Sequence, residues 1–376
     1  ACSARILAAL KGVIGMKRVQ HVTAVCWLSI AAILCGCGKD SSKGSAGGAR
    51  SGKGPFAGQT LNVFNWSDYI DPELIPEFER RTGAKVQYDN YSTESELETK
   101  LMAGGGGYDV VFPGDRSLAP LIAKGLLVEI DKSKLSNWEH LDTKFMGAPS
   151  DPDNNYSVPY FWGTVAVGIR TDHVTEPVNG FEVLFDERYK GRITMLDDAE
   201  NVVAIAMLHL GHPMNSTDDA HLAAVQNLLI KQRPLVQAYT SDAFKEKLIK
   251  GEAWVALGWS GDILQAADEN DQIKAIVPET GTLIWVDCMS IPKGAKNEAL
   301  AYEFINFLLE PEIAARNANF VHYASPNATA KDKMDSELLE DPSVYPPQEV
   351  LDRCHWLKDR GADIVKIEKV WQEVRQ

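Results

Sequence analysis

Three short stretches set an aromatic ring beside a carboxylate: Trp66-Ser67-Asp68-Tyr69, Trp259-Ser260-Gly261-Asp262 and Trp285-Val286-Asp287. A ring face attracts a cation, and a carboxylate neutralises an ammonium that would be costly to desolvate alone. Each methylene covered by such a ring contributes roughly 0.8 kcal/mol. The chemistry on offer is the holding of a cationic, partly aliphatic molecule. A purely structural reading of the first stretch exists, with Trp66 in the core and Asp68 capping a helix. Recurrence in three places favours binding. Catalysis is not expected: no Gly-x-Ser-x-Gly elbow is present, and the eight histidines, His209, His212 and His221 among them, lack zinc-ligand spacing. No metal or cofactor is expected either.

Each aromatic-acid stretch follows a run that reads as a strand. A strand over 61–65 gives way to Asp71-Pro72, the expected N-cap and first turn of a helix ending at Thr82-Gly83. A strand over 85–89 follows, and Thr93-Glu94-Ser95-Glu96 resembles a capping box opening a helix to Ala103. The glycine run 104–107 ends that helix and is not a phosphate loop, because no Gly-Lys-Ser/Thr follows it. With a buried strand over 108–113, the order β-α-β-α-β implies a mainly parallel sheet, whose ligands lie beyond the carboxyl ends of its strands.

Downstream, strands are expected over 156–160 and 164–169, with a domain crossing near 161–164. Strands over 193–196, 254–259 and 283–287 alternate with helices over 202–210, 218–231, 297–309 and 311–317. Helices over 347–358 and 364–374 close the chain. The Leu222, Val225, Leu228, Leu229 stripe reads as core.

The 376 residues are long enough for two domains, and 45% hydrophobic with 24% charged excludes wholesale disorder. Residues 1–36 hold four basic side chains (Arg5, Lys11, Lys17, Arg18) and no acid, so 34 basic groups face all 52 acids in the remainder, a formal −18. That balance disfavours nucleic acid and suits a cation. Met16-Lys17-Arg18, an apolar run over 22–34 too short to span a bilayer, and Leu34-Cys35-Gly36-Cys37 resemble a bacterial lipoprotein signal with its lipobox. The resemblance implies cleavage before Cys37 and lipid on its sulfur, and by resemblance to Gram-negative sorting Gly38 points to the outer membrane where the host has one. A retained N-terminal anchor helix is the alternative. Residues 1–15, upstream of Met16, have no assigned role, and 37–58 read as a flexible tether. Cys288 and Cys354 then remain, either as a pair or as two thiols.

From Leu61 to Trp371 the chain resembles the periplasmic spermidine/putrescine-binding proteins, the solute-binding components of polyamine ABC transporters. The resemblance rests on Asn65-Trp66-Ser67-Asp68-Tyr69-Ile70, Lys100-Leu101-Met102-Ala103-Gly104, Tyr108-Asp109-Val110-Val111, Val158-Pro159-Tyr160-Phe161-Trp162-Gly163, Leu196-Asp197-Asp198-Ala199, Gly258-Trp259-Ser260-Gly261-Asp262, Trp285-Val286-Asp287 and Tyr345-Pro346-Pro347. It implies an α/β, two-lobed, hinged periplasmic-binding fold of type II with ligand in the interlobe cleft. The expected parts are a signal peptide over 1–36, a tether over 37–58, one lobe from 59–162 and 286–328, and a second from 163–285 and 329–376. By the same resemblance Trp66, Ser67, Asp68, Tyr69, Asp198, Glu200, Trp259, Asp262, Trp285, Asp287 and Tyr323 hold putrescine or spermidine. It also implies a non-enzymatic, monomeric, periplasmic protein that feeds permease subunits and is tethered to the membrane through lipid. A sensor that signals ligand to a membrane receptor is the alternative. Two positions depart from the family. Arg116 either pairs with Asp115 and faces solvent, or enters the pocket and selects against a long polyamine; Asn201 stands where a glutamate is common.

Overall fold

The computed structural model describes residues 54–147 and 149–376; the signal peptide, Cys37 and most of the tether lie outside the described residues. The chain begins with β1 (Thr60–Trp66), α1 (Leu74–Thr82), β2 (Lys85–Tyr91), α2 (Glu94–Met102), β3 (Val110–Val111) and α3 (Asp115–Ala123). β1 lies between β2 and β3, parallel to both. Gly83 closes α1 at φ 78°, a left-handed conformation that glycine adopts without strain. The helix starts later than Asp71-Pro72 suggests, because Asp71 Oδ1 accepts from the Glu73 N–H at 2.9 Å and holds a turn there first. At α2, Thr93 Oγ1 accepts from the Glu96 N–H and Glu96 Oε2 accepts from the Ser92 N–H at 2.8 Å, which ties down the helix start and leaves Glu94 free for other work.

The second half runs β4 (Val158–Arg170), β5 (Ile193–Met195), α4 (Ala199–His209), α5 (Asp219–Gln232), β6 (Val236–Tyr239), α6 (Phe244–Ile249), β7 (Val255–Trp259), α7 (Ser260–Glu269), β8 (Ile273–Ile276) and β9 (Leu283–Met289). Then come α8 (Glu298–Leu308), α9 (Pro311–Val321), α10 (Ser336–Glu340), α11 (Gln348–Leu351), β10 (His355–Trp356) and α12 (Ile364–Arg375).

The two strands expected over 156–169 are one. All 13 residues of β4 are buried, and its first half pairs antiparallel with β9 while its second half pairs with β7 and β8. β9 also reaches β3, through Val111 and Ser290 exchanging N–H···O bonds at 2.9 Å. The expected helix over 347–358 is only α11. Beyond it the His355 N–H bonds to the Thr282 carbonyl at 2.9 Å, which pulls His355 and Trp356 alongside β9 as β10.

Two hydrophobic cores result. One takes β1, β3 and β4 up to Trp162, with Ile284 to Met289; the other takes β4 from Val165, β5, β7 and Leu283. Large side chains such as Trp162, Phe78 and Phe244 are fully buried, each contributing roughly 1.5–3 kcal/mol. The cores meet at Gly163 and Thr164 on β4 and between Leu283 and Ile284 on β9. Ala330, Met334, Leu338 and Val344 pack in the first core. The chain therefore joins the second core only at Leu357, not at 329 as the sequence suggests, because apolar side chains between Ala330 and Trp356 pack against the first core. Cys288 and Cys354 are both free thiols, the former buried.

Candidate functional site

Side chains alternate across a strand, and β9 uses that period to divide its labour. Ile284, Val286 and Cys288 enter the first core, while Trp285 and Asp287 face the other way, half-buried. The sequence placed both at the end of a strand over 283–287. They lie within the strand because pairing with β4 runs on to Met289.

Asp287 Oδ2 accepts from the Tyr69 hydroxyl at 2.8 Å. Tyr69 is fixed in turn by the Tyr160 hydroxyl, which donates to its carbonyl at 2.7 Å, and by edge contacts with Tyr160, Phe161 and Tyr323 at centroid separations of 5.5, 5.5 and 5.3 Å. Tyr323 lies 5.2 Å from Trp285 at 70°, and Trp259 lies 6.0 Å from Trp285 at 87°. These rings make an edge-to-face box from four parts of the chain. Two glycines let it close: a Cβ on Gly163 would stand 2.6 Å from the Trp285 ring, and one on Gly261 would stand 2.7 Å from the Tyr323 ring.

Two carboxyls that the sequence did not single out join Asp287. Gly114 bridges to Asp287 through the backbone and donates its N–H to Glu94 Oε1 at 2.9 Å, while Glu94 Oε2 is buried with no partner. Asp115 is buried at the start of α3. Burial is the largest influence on all three. It pushes Asp287 well above the usual carboxylate range, with Glu94 adding to the effect and the Tyr69 hydrogen bond opposing it. It also raises Glu94, and it raises Asp115 to about 7 against the opposing pull of Arg116. Among the described residues no lysine or arginine is ion-paired with these three carboxyls, and the Arg116 guanidinium acts on them only at longer range.

The remaining acids already have partners. Arg116 does not pair with Asp115 or face solvent. Consecutive helical positions point about 100° apart, and Arg116 donates from Nη2 to Asp198 Oδ2 and from Nη1 to Glu200 Oε1, both at 3.1 Å. Asp198 also caps α4, its Oδ1 accepting from the Asn201 N–H at 2.9 Å. At the other side of the cleft Lys245, on α6, lies 2.9 Å from Asp68 Oδ2 and 3.6 Å from Asp262 Oδ1. Asp262 is raised to about 6, chiefly by burial, with Lys245 opposing.

The structure thus brings together Tyr69, Trp259, Trp285, Asp287 and Tyr323, with Asp262 donating its N–H to the Tyr323 hydroxyl at 3.2 Å. It leaves Ser67 exposed and Asp68 on the rim, its side chain 69% exposed and its backbone at φ 54°. Trp66 is half-buried against Tyr91 at 4.4 Å. Asp198 and Glu200 face a guanidinium of the chain itself. Glu94 and Lys245 went unread: the first looked like part of a helix cap, and the second is a lysine on a short helix with nothing local to mark it.

Residues 73–345 match the family described as bacterial extracellular solute-binding protein. The chain is 34% identical over 318 residues to the spermidine/putrescine-binding periplasmic protein of Escherichia coli K12, covering 84% of this chain and 91% of that one. Among solved structures it is similar to a putative spermidine/putrescine ABC transporter protein from Listeria monocytogenes, with TM-score 0.79, 35% identity, and 85% and 99% of the two chains covered. It is also similar to the TpPotD lipoprotein of Treponema pallidum, with TM-score 0.76, 27% identity, and 84% and 99% covered.

Proposed function

Because the chain belongs to the bacterial extracellular solute-binding protein family, with its two-lobed α/β fold, we propose that it binds a linear polyamine in the cleft and delivers it to an ABC transporter for uptake. Its relatives, a spermidine/putrescine-binding periplasmic protein among them, point the same way. The observation that carries the reading is Asp287, a half-buried carboxyl hydrogen-bonded to Tyr69 beside Trp285, with Glu94 and Asp115 close by. An ammonium there gains a charged hydrogen bond in a place where an unpaired charge is costly, and Trp285, Trp259 and Tyr323 offer their faces to the methylenes. The protein is a transport component without catalytic turnover, and it acts as a monomer that closes about the crossings on β4 and β9.

For residues outside the described part, the reading is a lipoprotein cleaved before Cys37 and tethered in the periplasm, with the outer membrane as its site. The lipobox and the lipoprotein relative from Treponema pallidum support it. Mass spectrometry of the mature N-terminus tests it, and an unmodified Cys37 overturns it. The polyamine reading is tested by a thermal-shift screen of purified protein against putrescine, cadaverine, agmatine, spermidine and amino acids. Amines should raise the melting temperature and amino acids should not; equal indifference to all overturns the reading.

A further inference from the structure

Two cations of the chain itself occupy the acids at the sides of the cleft. Arg116 comes from α3, which packs with the first core, and reaches Asp198 and Glu200 at the start of α4, which belongs to the second. Lys245 comes from the second core and reaches Asp68 on the first-lobe loop. At the Arg116 side the two bridged acids already face cations of the chain. Arg360, its side chain only 2% exposed, places Nη1 3.7 Å from Glu200, so two guanidinium groups face the two carboxylates. None of the three side chains of the Arg116 bridge is more than 25% exposed, so solvent screens the charges only partly. At the centre the balance differs: Asp287, Glu94 and Asp115 share no ion-paired cation among the described residues, and Glu94 Oε2 has no partner at all.

We propose that Arg116 is a specificity-determining residue, a tethered cation standing where a distal ammonium of a longer ligand would go, so that the cleft prefers a short diamine over a triamine. The proposal rests on the polyamine reading given above and narrows it to a substrate class. A diamine places one ammonium at the Asp287 cluster and lays its few methylenes on the Trp285, Trp259 and Tyr323 faces. A triamine extended toward α4 brings a further positive charge against Arg116 and Arg360. It can be accommodated only by displacing Arg116 from both of its partners, which leaves a guanidinium unpaired in a half-buried site. The specificity device is therefore repulsive, in the manner of an interface that rejects the wrong partner by juxtaposing like charges.

The test is calorimetry with putrescine and spermidine on the full mature chain and on two variants. Arg116→Gln keeps the stem and the capacity to donate but removes the charge; Arg116→Lys keeps the charge. The parent should bind putrescine more tightly than spermidine. In Arg116→Gln the spermidine-to-putrescine affinity ratio should rise at least tenfold, and in Arg116→Lys it should stay within threefold of the parent. A parent that binds spermidine as tightly as putrescine overturns the proposal without needing any variant. A ratio unchanged in a folded Arg116→Gln also overturns it while leaving the polyamine reading intact. If the parent binds neither amine, the polyamine reading fails and this inference falls with it.

Discussion

The Tyr69 hydroxyl donates to Asp287 Oδ2 across 2.8 Å, joining the loop after β1 to the middle of β9, residues 218 positions apart. This bond orients the carboxyl that the rest of the cleft is built around, and it favours the charged form of an acid that burial would otherwise keep neutral.

Asp287→Asn keeps the shape and removes the charge. The ligand ammonium then lacks its anionic partner in a water-poor cleft, at a cost of about 2 to 4 kcal/mol. Since 1.4 kcal/mol is about tenfold, calorimetry should show roughly 30-fold weaker amine binding or worse. Parent-like affinity would place the ammonium elsewhere.

Tyr69→Phe leaves Asp287 charged only at higher pH, because the lost hydrogen bond was holding its pKa down. Amine affinity measured at neutral pH should fall several-fold and recover part of the loss in alkaline buffer. An equal loss at every pH would mean that the hydroxyl acts other than by favouring the charged form of Asp287, and no loss at all would mean that the ring alone matters.

Stability and affinity should respond to pH in opposite senses. Asp115 at about 7 and Asp262 at about 6 stand above their ordinary 3.8, so the folded chain holds these protons more tightly than the unfolded one. Their contribution to stability is fully present below about pH 4 and is lost as pH rises through 6 to 7. Asp287, flanked by Glu94, Asp115, Arg116 and Tyr69, adds in the same direction. Binding an ammonium needs these carboxyls charged, so the ligand-induced rise in melting temperature should grow from pH 5 to pH 8 while the melting temperature of the free protein declines. A ligand effect that is flat with pH would exclude these carboxyls as its anchor.

Gly261→Ala should disturb the site more than the fold. The added methyl meets the Tyr323 ring at 2.7 Å, and overpacking of this kind costs about 1 to 3 kcal/mol. Displacing the ring should weaken amine binding while circular dichroism stays native; unchanged affinity would remove Tyr323 from the binding surface.

Much of the first half could be read in advance because its signals are local. Gly83 ends a helix whose neighbours agree with it, and Thr93 with Glu96 starts another. The aromatic and acidic types at 285 and 287 were legible for the same reason. Their setting was not: whether β4 breaks near Gly163 depends on whether β9 lies alongside, and no window of sequence contains both. Glu94 resembled a capping residue because two glutamates share that turn and only the backbone decides which one caps. The partners of Arg116 lie 82 and 84 positions away, so its neighbour Asp115 looked like the natural mate.

Gly163 and Thr164 on β4 pair directly with Trp285 and Ile284 on β9, and Leu283 and Ile284 pair on their other edge with His355 and Trp356 of β10, so the passage between the cores is a three-stranded ladder that stays paired through the crossing. A paired ladder resists stretching and shear, so any swing of one core against the other is taken up by twist within those paired residues. Trp285 sits in that ladder opposite Gly163, whereas Arg116 and Lys245 reach from one core to Asp198, Glu200 and Asp68 on the other. The two cores are therefore joined by backbone bonds along the ladder and by side-chain charge at its flanks.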